Sequence, residues 1–422
     1  MERNPYFWII LVTLVLHFSL ERLLALFTLR RLMPGVPPEF AEVCPPERYA
    51  RMQAYTRDRI RLGTASAVWD FAWLLGFWFT GGFAAWDRLT ASWFWHPIPA
   101  GLAFLGGLAL ASSALSLPFE WVATFRLDAR YDLNRTTPRT FVLDRVKGLL
   151  LAVLLGGPLL AGLIVFFRFA GASAWLWAWG TVAAVTLFLQ YVAPTWLMPL
   201  FNRFWPLPDG ELRDGLTALA ARTGFPLGEI FVMDGSRRSA RGNAFFTGFG
   251  ARKRIVLFDT LVERHPPAEI LAITAHEIGH WRRRHILVGT ALGLAQTGAL
   301  LLLLQVFVGH RPLFAAFGVD APSFPVGLVL FGLLLTPLQV ALSLAGNALS
   351  RRHERQADAF AQEAVGDGAP LADALRRLAM DNLSNLTPHP LAVLLHASHP
   401  PVLERIRSLK RKTAPAPAPA TK

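Results

Sequence analysis

The segment AHEIGHWRRRH, residues 275–285, concentrates side chains that can bind a metal ion. His276 and His280 are four residues apart, so on an α-helix they lie about 40° apart and one turn along. Two imidazoles in this arrangement can bind one ion, and Glu277 beside them can reach a water on that ion. This is why HExxH on a helix is a zinc-hydrolase pattern. The same pattern also arises by chance on exposed helices, so the rest of the chain must decide.

A catalytic zinc ion needs a third protein ligand. His285 lies about 140° around a continuous helix from His280 and is therefore expected to face away. The run NALSRRHERQADAFA offers Glu354 and Asp358 one helical turn apart, with His353 as the alternative ligand. A ligand set is often completed by a second carboxylate that orients a ligating histidine. The other interpretation of this run is a solvated helix end with surface ion pairs.

The composition indicates an integral membrane protein. Of the 422 residues, 53% are hydrophobic and only 17% are charged, and the chain has 14 Trp and 31 Phe. Soluble domains carry about a quarter charged residues. The net charge of +13 could suggest a nucleic-acid partner, but basic residues also gather on the cytoplasmic side of membrane proteins, so we expect a lipid bilayer and no nucleic acid. A single cysteine, Cys44, excludes a disulfide framework and a multi-cysteine metal site.

About seven segments are long and apolar enough to cross a bilayer. They are 6–29, 65–83, 99–124, 148–168, 174–200, 286–309 and 325–349. Between them, Arg3, Arg88, Arg168 and Arg311 stand alone in alternate connections, whereas the other connections carry clusters of Lys and Arg. The positive-inside rule then predicts the N-terminus outside, with the C-terminus and the HExxH motif in the cytoplasm.

The long connection before the sixth span has the pattern of a small folded domain. LRDGLTALAARTG, from Leu212, has helical spacing and ends at Gly224. EIFVMDG and RIVLFDTLV are predicted strands, and NAFFTGFGARKR between them is a predicted strand that enters a turn. PPAEILAITAHEIGHWRRRH opens with prolines and is predicted to be a helix. After the seventh span, SRRHERQADAFAQEAV should continue that helix beyond the membrane.

Together the motifs resemble the type 1 CAAX prenyl endopeptidases, which are seven-span zinc proteases of the gluzincin kind. The similar segments include AHEIGHWRRRH, SRRHERQADAFA, ASHPPVLERIRSL and VMDGSRRSARGNAFFTGFGARKRIVLFDTLV. The resemblance covers nearly the whole chain and ends before the Ala-Pro tail. Where the family often has RSSHSNAY, this chain has RSARGNAF, so Arg241 replaces a histidine and Phe245 a tyrosine. These departures concern substrate contacts and leave the metal-binding motif intact.

The resemblance implies the roles of individual residues. The zinc ligands would be His276, His280 and Glu354, with Glu277 as the catalytic base and Asp358 as the acidic partner that supports the site. Two further regions would contact substrate: His399 near the reacting peptide bond, and Asn243 with Ala244 on the strand that holds the substrate backbone. One zinc ion per chain would be the cofactor.

The predicted fold class is therefore mostly α: about seven transmembrane helices plus a cytoplasmic, zincin-like α+β catalytic domain with a small β-sheet. The predicted divisions are spans one to five with two basic loops (1–200), the subdomain with the HExxH helix (201–285), spans six and seven (286–349), a C-terminal part with the third ligand (350–411) and a disordered Ala-Pro tail (412–422).

The predicted function is a membrane zinc endopeptidase acting on a peptide or protein, with a prenylated C-terminus as the substrate implied by the resemblance. A composition rich in Arg, Ala and Leu favours a bacterial inner membrane over the endoplasmic reticulum, and so leaves open a quality-control or processing protease without prenyl substrates. Two further alternatives are a site-2-type intramembrane protease and a non-enzymatic seven-span transporter or receptor.

Overall fold

The computed structural model describes residues 1–33, 35–248 and 253–413. Most of them are helical. The helices of the first half are α1 Pro5–Arg30, α2 Pro46–Phe79, α3 Gly82–Trp93, α4 Pro97–Val122, α5 Pro138–Leu151, α6 Gly157–Phe169, α7 Ala174–Val192 and α8 Met198–Phe201. Short π-helical segments extend three of them: Ala123–Asp128 after α4, Ala152–Gly156 between α5 and α6, and Ala193–Leu197 between α7 and α8.

The second half contains the remaining helices and a small sheet. The helices are α9 Glu211–Thr223, α10 Asp259–Arg264, α11 Pro267–Arg282, α12 His285–Phe307, α13 Arg311–Ala315, α14 Phe324–Leu334, α15 Thr336–Val365, α16 Ala369–Asp381, α17 Pro390–His396 and α18 Val402–Thr413. The strands are β1 Phe204–Pro206, β2 Leu227–Met233, β3 Ala244–Thr247 and β4 Lys253–Phe258. Of the predicted Ala-Pro tail, residues 414–422 lie outside the described part of the chain.

Within the described residues, five helical stretches are long and apolar enough to span a membrane, and a sixth qualifies if a bent pair counts as one span. The five are Pro5–Arg30, Pro97–Asp128, Pro138–Phe169, Gly171–Phe201 and His285–Phe307. The sequence analysis predicted about seven spans, and a test by length and composition alone finds these five or six among the described helices. The segment 65–83 falls mainly in the second half of α2, where Asp70 and small polar residues lower the mean hydropathy.

The expected single span at 325–349 is also broken. Helices α14 and α15 meet at Leu335 and are bent by 63° relative to one another. Pro337 in the first turn of α15 accounts for the break, because proline lacks the N–H that would continue the hydrogen-bond ladder. As predicted, α15 continues without interruption through the charged run that contains Glu354 and Asp358.

The sheet has the order β1-β2-β4-β3. β2 and β4 are parallel, and the other two pairs are antiparallel. The segment RIVLFDTLV, predicted to be a strand throughout, is a strand only to Phe258, after which α10 begins. α9 forms as predicted and ends at Gly224, whose φ of 68° is a left-handed conformation that glycine adopts without strain.

One hydrophobic core joins the sheet to the helices around it. Buried side chains of α9, α11, α16, α18 and the strands belong to one hydrophobic cluster, for example Leu216, Leu257, Ile278, Ala374 and Ile406. The inner face of α11 belongs to this core. Packing in this core therefore fixes the part of α11 that precedes the two histidines.

Candidate metal centre

Three potential metal ligands converge between α11 and α15. His276 and His280 project from α11 and Glu354 from α15, and one ligand atom of each lies within 4.8 Å of the others. The two Nε2 atoms are 3.1 Å apart. The Glu354 carboxylate places Oε2 3.4 Å from His276 Nε2 and Oε1 3.3 Å from His280 Nε2. The structure thus brings together the three residues for which the sequence predicts a zinc site.

Close packing of the two helices makes this convergence possible. A Cβ atom built on Gly279 would lie 3.1 Å from the Ala357 Cα and 3.2 Å from the Phe360 Cβ. A side chain at this position would therefore push α15 away from α11, because protein cores tolerate extra atoms poorly. Within HEIGH, Gly279 thus has a packing role: it lets the helix that carries Glu354 approach the two histidines.

Asp358 lies one turn beyond Glu354 and contacts the other nitrogen of His276. Its Oδ1 is 2.9 Å from His276 Nδ1. Burial lowers the pKa of the His276 imidazole, but its hydrogen bonds with Asp358 and Glu354 outweigh this effect and raise the pKa to about 9. The surroundings of His276 therefore favour positive charge. A carboxylate behind a ligating imidazole is the usual arrangement at metal sites, where it fixes the ring orientation.

The sequence analysis missed a buried cation in this site, Arg405 of α18. Its Nη2 and Nε donate to Asp358 at 2.6 and 2.9 Å, and its Nη1 lies 3.7 Å from Glu354 Oε2. Burial lowers the pKa of Arg405, but the Asp358 carboxylate outweighs this effect and raises it. Removing one partner of a buried ion pair costs on the order of 3–5 kcal/mol. Arg405 thus holds Asp358, which in turn holds His276.

Glu277 is partly exposed beside the ligand cluster. Burial raises the pKa of its carboxyl group, and His276 and His280 only partly offset this effect. Its neighbours on the helix, Ala275 and Ile278, are fully buried and anchor α11. A carboxyl group with a raised pKa that adjoins the candidate metal ligands is well suited to accept and return a proton.

His399 lies at the open side of the cluster. Its Nε2 is 3.3 Å from Glu354 Oε1, and its Nδ1 is 2.8 Å from the Ser398 hydroxyl. The side chain is 61% exposed. Partial burial lowers the pKa of His399, and the nearby Glu354 carboxylate opposes this effect without cancelling it.

Asn243 and Ala244 lie at the start of β3, which packs against α11. The Asn243 carbonyl accepts from the Phe258 N–H at 3.0 Å, and its side chain accepts from the Ala244 N–H at 2.9 Å. Ala244 pairs with Leu257 of β4. Among the described residues, no strand pairs with the other side of β3, so this edge can receive another extended segment.

The expectation that His285 faces away from the cluster was wrong. It assumed a continuous helix, but α11 ends at Arg282 and a new helix begins at His285. The His285 Nδ1 lies 3.1 Å from the Nδ1 of His280. His353, the alternative third ligand, stacks on the His285 ring with centroids 3.9 Å apart and is not among the three converging groups.

The donor set fits a divalent transition metal. Two imidazole nitrogens and one carboxylate are a set that catalytic zinc uses. Glu354 Oε2 is buried and has no hydrogen-bond partner among the described residues. His276 Nε2 and Arg405 Nη1 lie 3.4 and 3.7 Å from this oxygen without donating a hydrogen bond to it, and a bound cation would satisfy it directly.

Comparison with known proteins agrees with this geometry. Residues 26–203 match the model of the CAAX prenyl protease N-terminal region with five membrane helices, and residues 206–413 match the model of peptidase family M48. A CAAX prenyl protease 1 homolog of Oryza sativa subsp. japonica is 34% identical over 96% of this chain and 97% of its own length. The chain belongs to the type 1 CAAX prenyl endopeptidases of peptidase family M48.

Other relatives and a solved structure support the same assignment. CAAX prenyl protease 1 of Saccharomyces cerevisiae is 37% identical over 74% of this chain and 72% of its own length. The crystal structure of S. mikatae Ste24p matches with a TM-score of 0.91 and 32% identity, over 97% of this chain and all of the other. This family member is therefore an integral membrane metalloendopeptidase with a peptide or protein substrate, and the transporter and receptor alternatives do not apply.

Proposed function

We propose that this chain is a zinc endopeptidase in which His276, His280 and Glu354 bind the metal and Glu277 is the catalytic base. The observation that carries the proposal is the convergence of these three side chains, from two helices far apart in sequence, beside a partly exposed carboxylate. The buried Glu354 Oε2, which has no hydrogen-bond donor among the described residues, supports a cation at this point. The alternative interpretation, a solvated helix end with surface ion pairs, does not explain why Glu354 and Asp358 are buried.

Zinc held by His276, His280 and Glu354 would supply a Lewis acid and lower the pKa of a water molecule to about 7. Glu277 takes a proton from the attacking water and later delivers it to the leaving amine nitrogen. His399, on the open side of the cluster, can donate a hydrogen bond to the carbonyl oxygen as negative charge develops there. Asp358 and Arg405 keep His276 in position throughout.

The substrate backbone is proposed to lie along β3. The free edge of this strand starts at Asn243 and Ala244 and packs against the helix that carries the metal ligands. An extended peptide that pairs with a sheet edge gains main-chain hydrogen bonds that do not depend on its sequence. The pairing would present one peptide bond to Glu277 in a fixed direction.

The proposed substrates are proteins with a prenylated C-terminal CAAX sequence, from which the last three residues are removed. This proposal rests on the names of the relatives, which are CAAX prenyl proteases. The alternative is a processing or quality-control protease of a bacterial membrane, favoured by the composition.

The substrate proposal is tested with a farnesylated CAAX peptide and its unprenylated twin. The full-length enzyme should release the C-terminal tripeptide from the farnesylated peptide with a kcat/KM at least about tenfold higher, because burying the lipid contributes binding free energy. Mass spectrometry of the products gives the cleavage site. Equal cleavage of both peptides would instead support the quality-control alternative.

We further propose that the chain lies in a bacterial inner membrane, which its composition rich in Arg, Ala and Leu favours. In the proposed orientation, the N-terminus lies outside, and the C-terminus and the metal centre face the cytoplasm. The support is the alternation of isolated and clustered basic residues between the apolar segments. A reporter enzyme that is active only in the cytoplasm should be active when fused to the C-terminus, and an inactive fusion would contradict this topology.

A further inference from the structure

A second polar cluster adjoins the metal centre on the far side of His280. The Nε2 of this imidazole faces His276 and Glu354, and its Nδ1 lies 3.1 Å from the Nδ1 of His285. The Nε2 of His285 lies in turn 2.9 Å from the side-chain Oε1 of Gln356. The side chains of His280, His285 and Gln356 therefore form a continuous series of polar contacts that begins at the proposed zinc ligand His280.

Only one distribution of protons satisfies this series of contacts when His280 binds a metal through Nε2. The bound ring keeps its proton on Nδ1 and must donate it, so the Nδ1 of His285 has to accept. His285 is then protonated on Nε2 and donates to Gln356, whose Oε1 is an acceptor. Each contact pairs one donor with one acceptor, and both imidazoles are neutral.

The two candidate ligands are supported differently. The Nδ1 of His276 contacts the Asp358 carboxylate at 2.9 Å. The Nδ1 of His280 contacts an imidazole instead, and no carboxylate contacts it among the described residues. We infer that His285, with its tautomer set by Gln356, is the positioning residue for His280. This inference rests on the proposed function, in which His280 is a zinc ligand.

Local structure keeps His285 in this place. Arg284, two residues after the end of α11, adopts a left-handed conformation with φ of 57°, and His285 then starts α12 beside His280. Such a conformation is unfavourable for a residue with a Cβ and persists when the surroundings hold it. His285 is buried, and its ring stacks on that of His353 at an angle of 8°.

Two substitutions separate hydrogen bonding from packing at this position. His285→Phe keeps an aromatic ring that can stack on His353 but removes the acceptor for His280. His285→Asn removes the ring but keeps an acceptor, because the amide Oδ1 can occupy the place of the imidazole Nδ1. Zinc affinity of the full-length, detergent-solubilised variants is measured by competition with a chromophoric chelator, and thermal unfolding checks that each variant is folded.

We expect His285→Phe to bind zinc about 10–100-fold more weakly than the wild type, as is usual when a partner of a metal ligand is lost. His285→Asn should recover most of this affinity. Wild-type affinity in the Phe variant would overturn the inference and assign His285 to packing. An equal loss in both variants would also overturn it, because restoring the acceptor would then not restore the metal site. If the wild-type chain itself bound no zinc, the proposed function would fail, and the inference with it.

Discussion

Glu277→Gln is expected to lower kcat/KM for peptide cleavage by about 10²–10⁴-fold, the usual contribution of a general base. Glutamine has the shape of glutamate but cannot accept the proton of the attacking water. The zinc content should stay at one per chain, because Glu277 is not among the three converging ligands. Product formation is followed by mass spectrometry, and zinc by elemental analysis of the same sample.

Glu263→Gln is the matched control for this variant. Glu263 is exposed on α10, outside the site, so the same chemical change there should leave cleavage unaffected. Full activity in the Glu277 variant with normal zinc content would refute the role of this residue as the base. Loss of zinc together with activity would show instead that Glu277 supports the metal.

Glu354→Ala should lose most of the bound zinc during purification and with it the cleavage activity. The substitution removes the carboxylate from the two-imidazole, one-carboxylate set, and catalytic zinc needs three protein ligands. Zinc is measured by elemental analysis after dialysis against a weak chelator. Thermal unfolding shows whether the variant is folded. We expect it to be folded, because the bidentate contact of Arg405 with Asp358 does not involve Glu354.

Two control variants on α15 make this result specific. Glu363→Ala removes an exposed carboxylate from the same helix and should keep the metal. His353→Ala tests the alternative third ligand and should also keep it, because His353 stacks on His285 outside the cluster. Stoichiometric zinc in Glu354→Ala together with its loss in His353→Ala would reverse the assignment.

Spacing along the chain was enough to predict part of the site. Wherever an HExxH segment is helical, its two histidines share one face of the helix, so the local pattern is enough to pair His276 with His280. Glu354 required the family resemblance, because residue spacing cannot show which distant helix will pack against α11. The segment around Gly279 contained a signal for that packing, since a glycine inside a helix often marks a close approach of another backbone.

Other features depended on tertiary contacts or on breaks in helices. Arg405 lies in a terminal helix with several basic residues, and nothing local distinguishes it from its exposed neighbours; only the buried Asp358 across the interface does so. His285 was excluded because the run of arginines gave no breaker signal, although the helix ends there. The bend at Leu335 had a signal in Pro337, which apolar composition alone does not register.

The proposed catalytic site depends on the membrane helices because the chain passes through them between α11 and α15. α11 carries two of the proposed ligands, α15 carries the third, and the polypeptide that joins them includes the apolar helices α12 and α14. No contiguous fragment can contain all three ligands without these hydrophobic segments, so truncation cannot yield a water-soluble catalytic module.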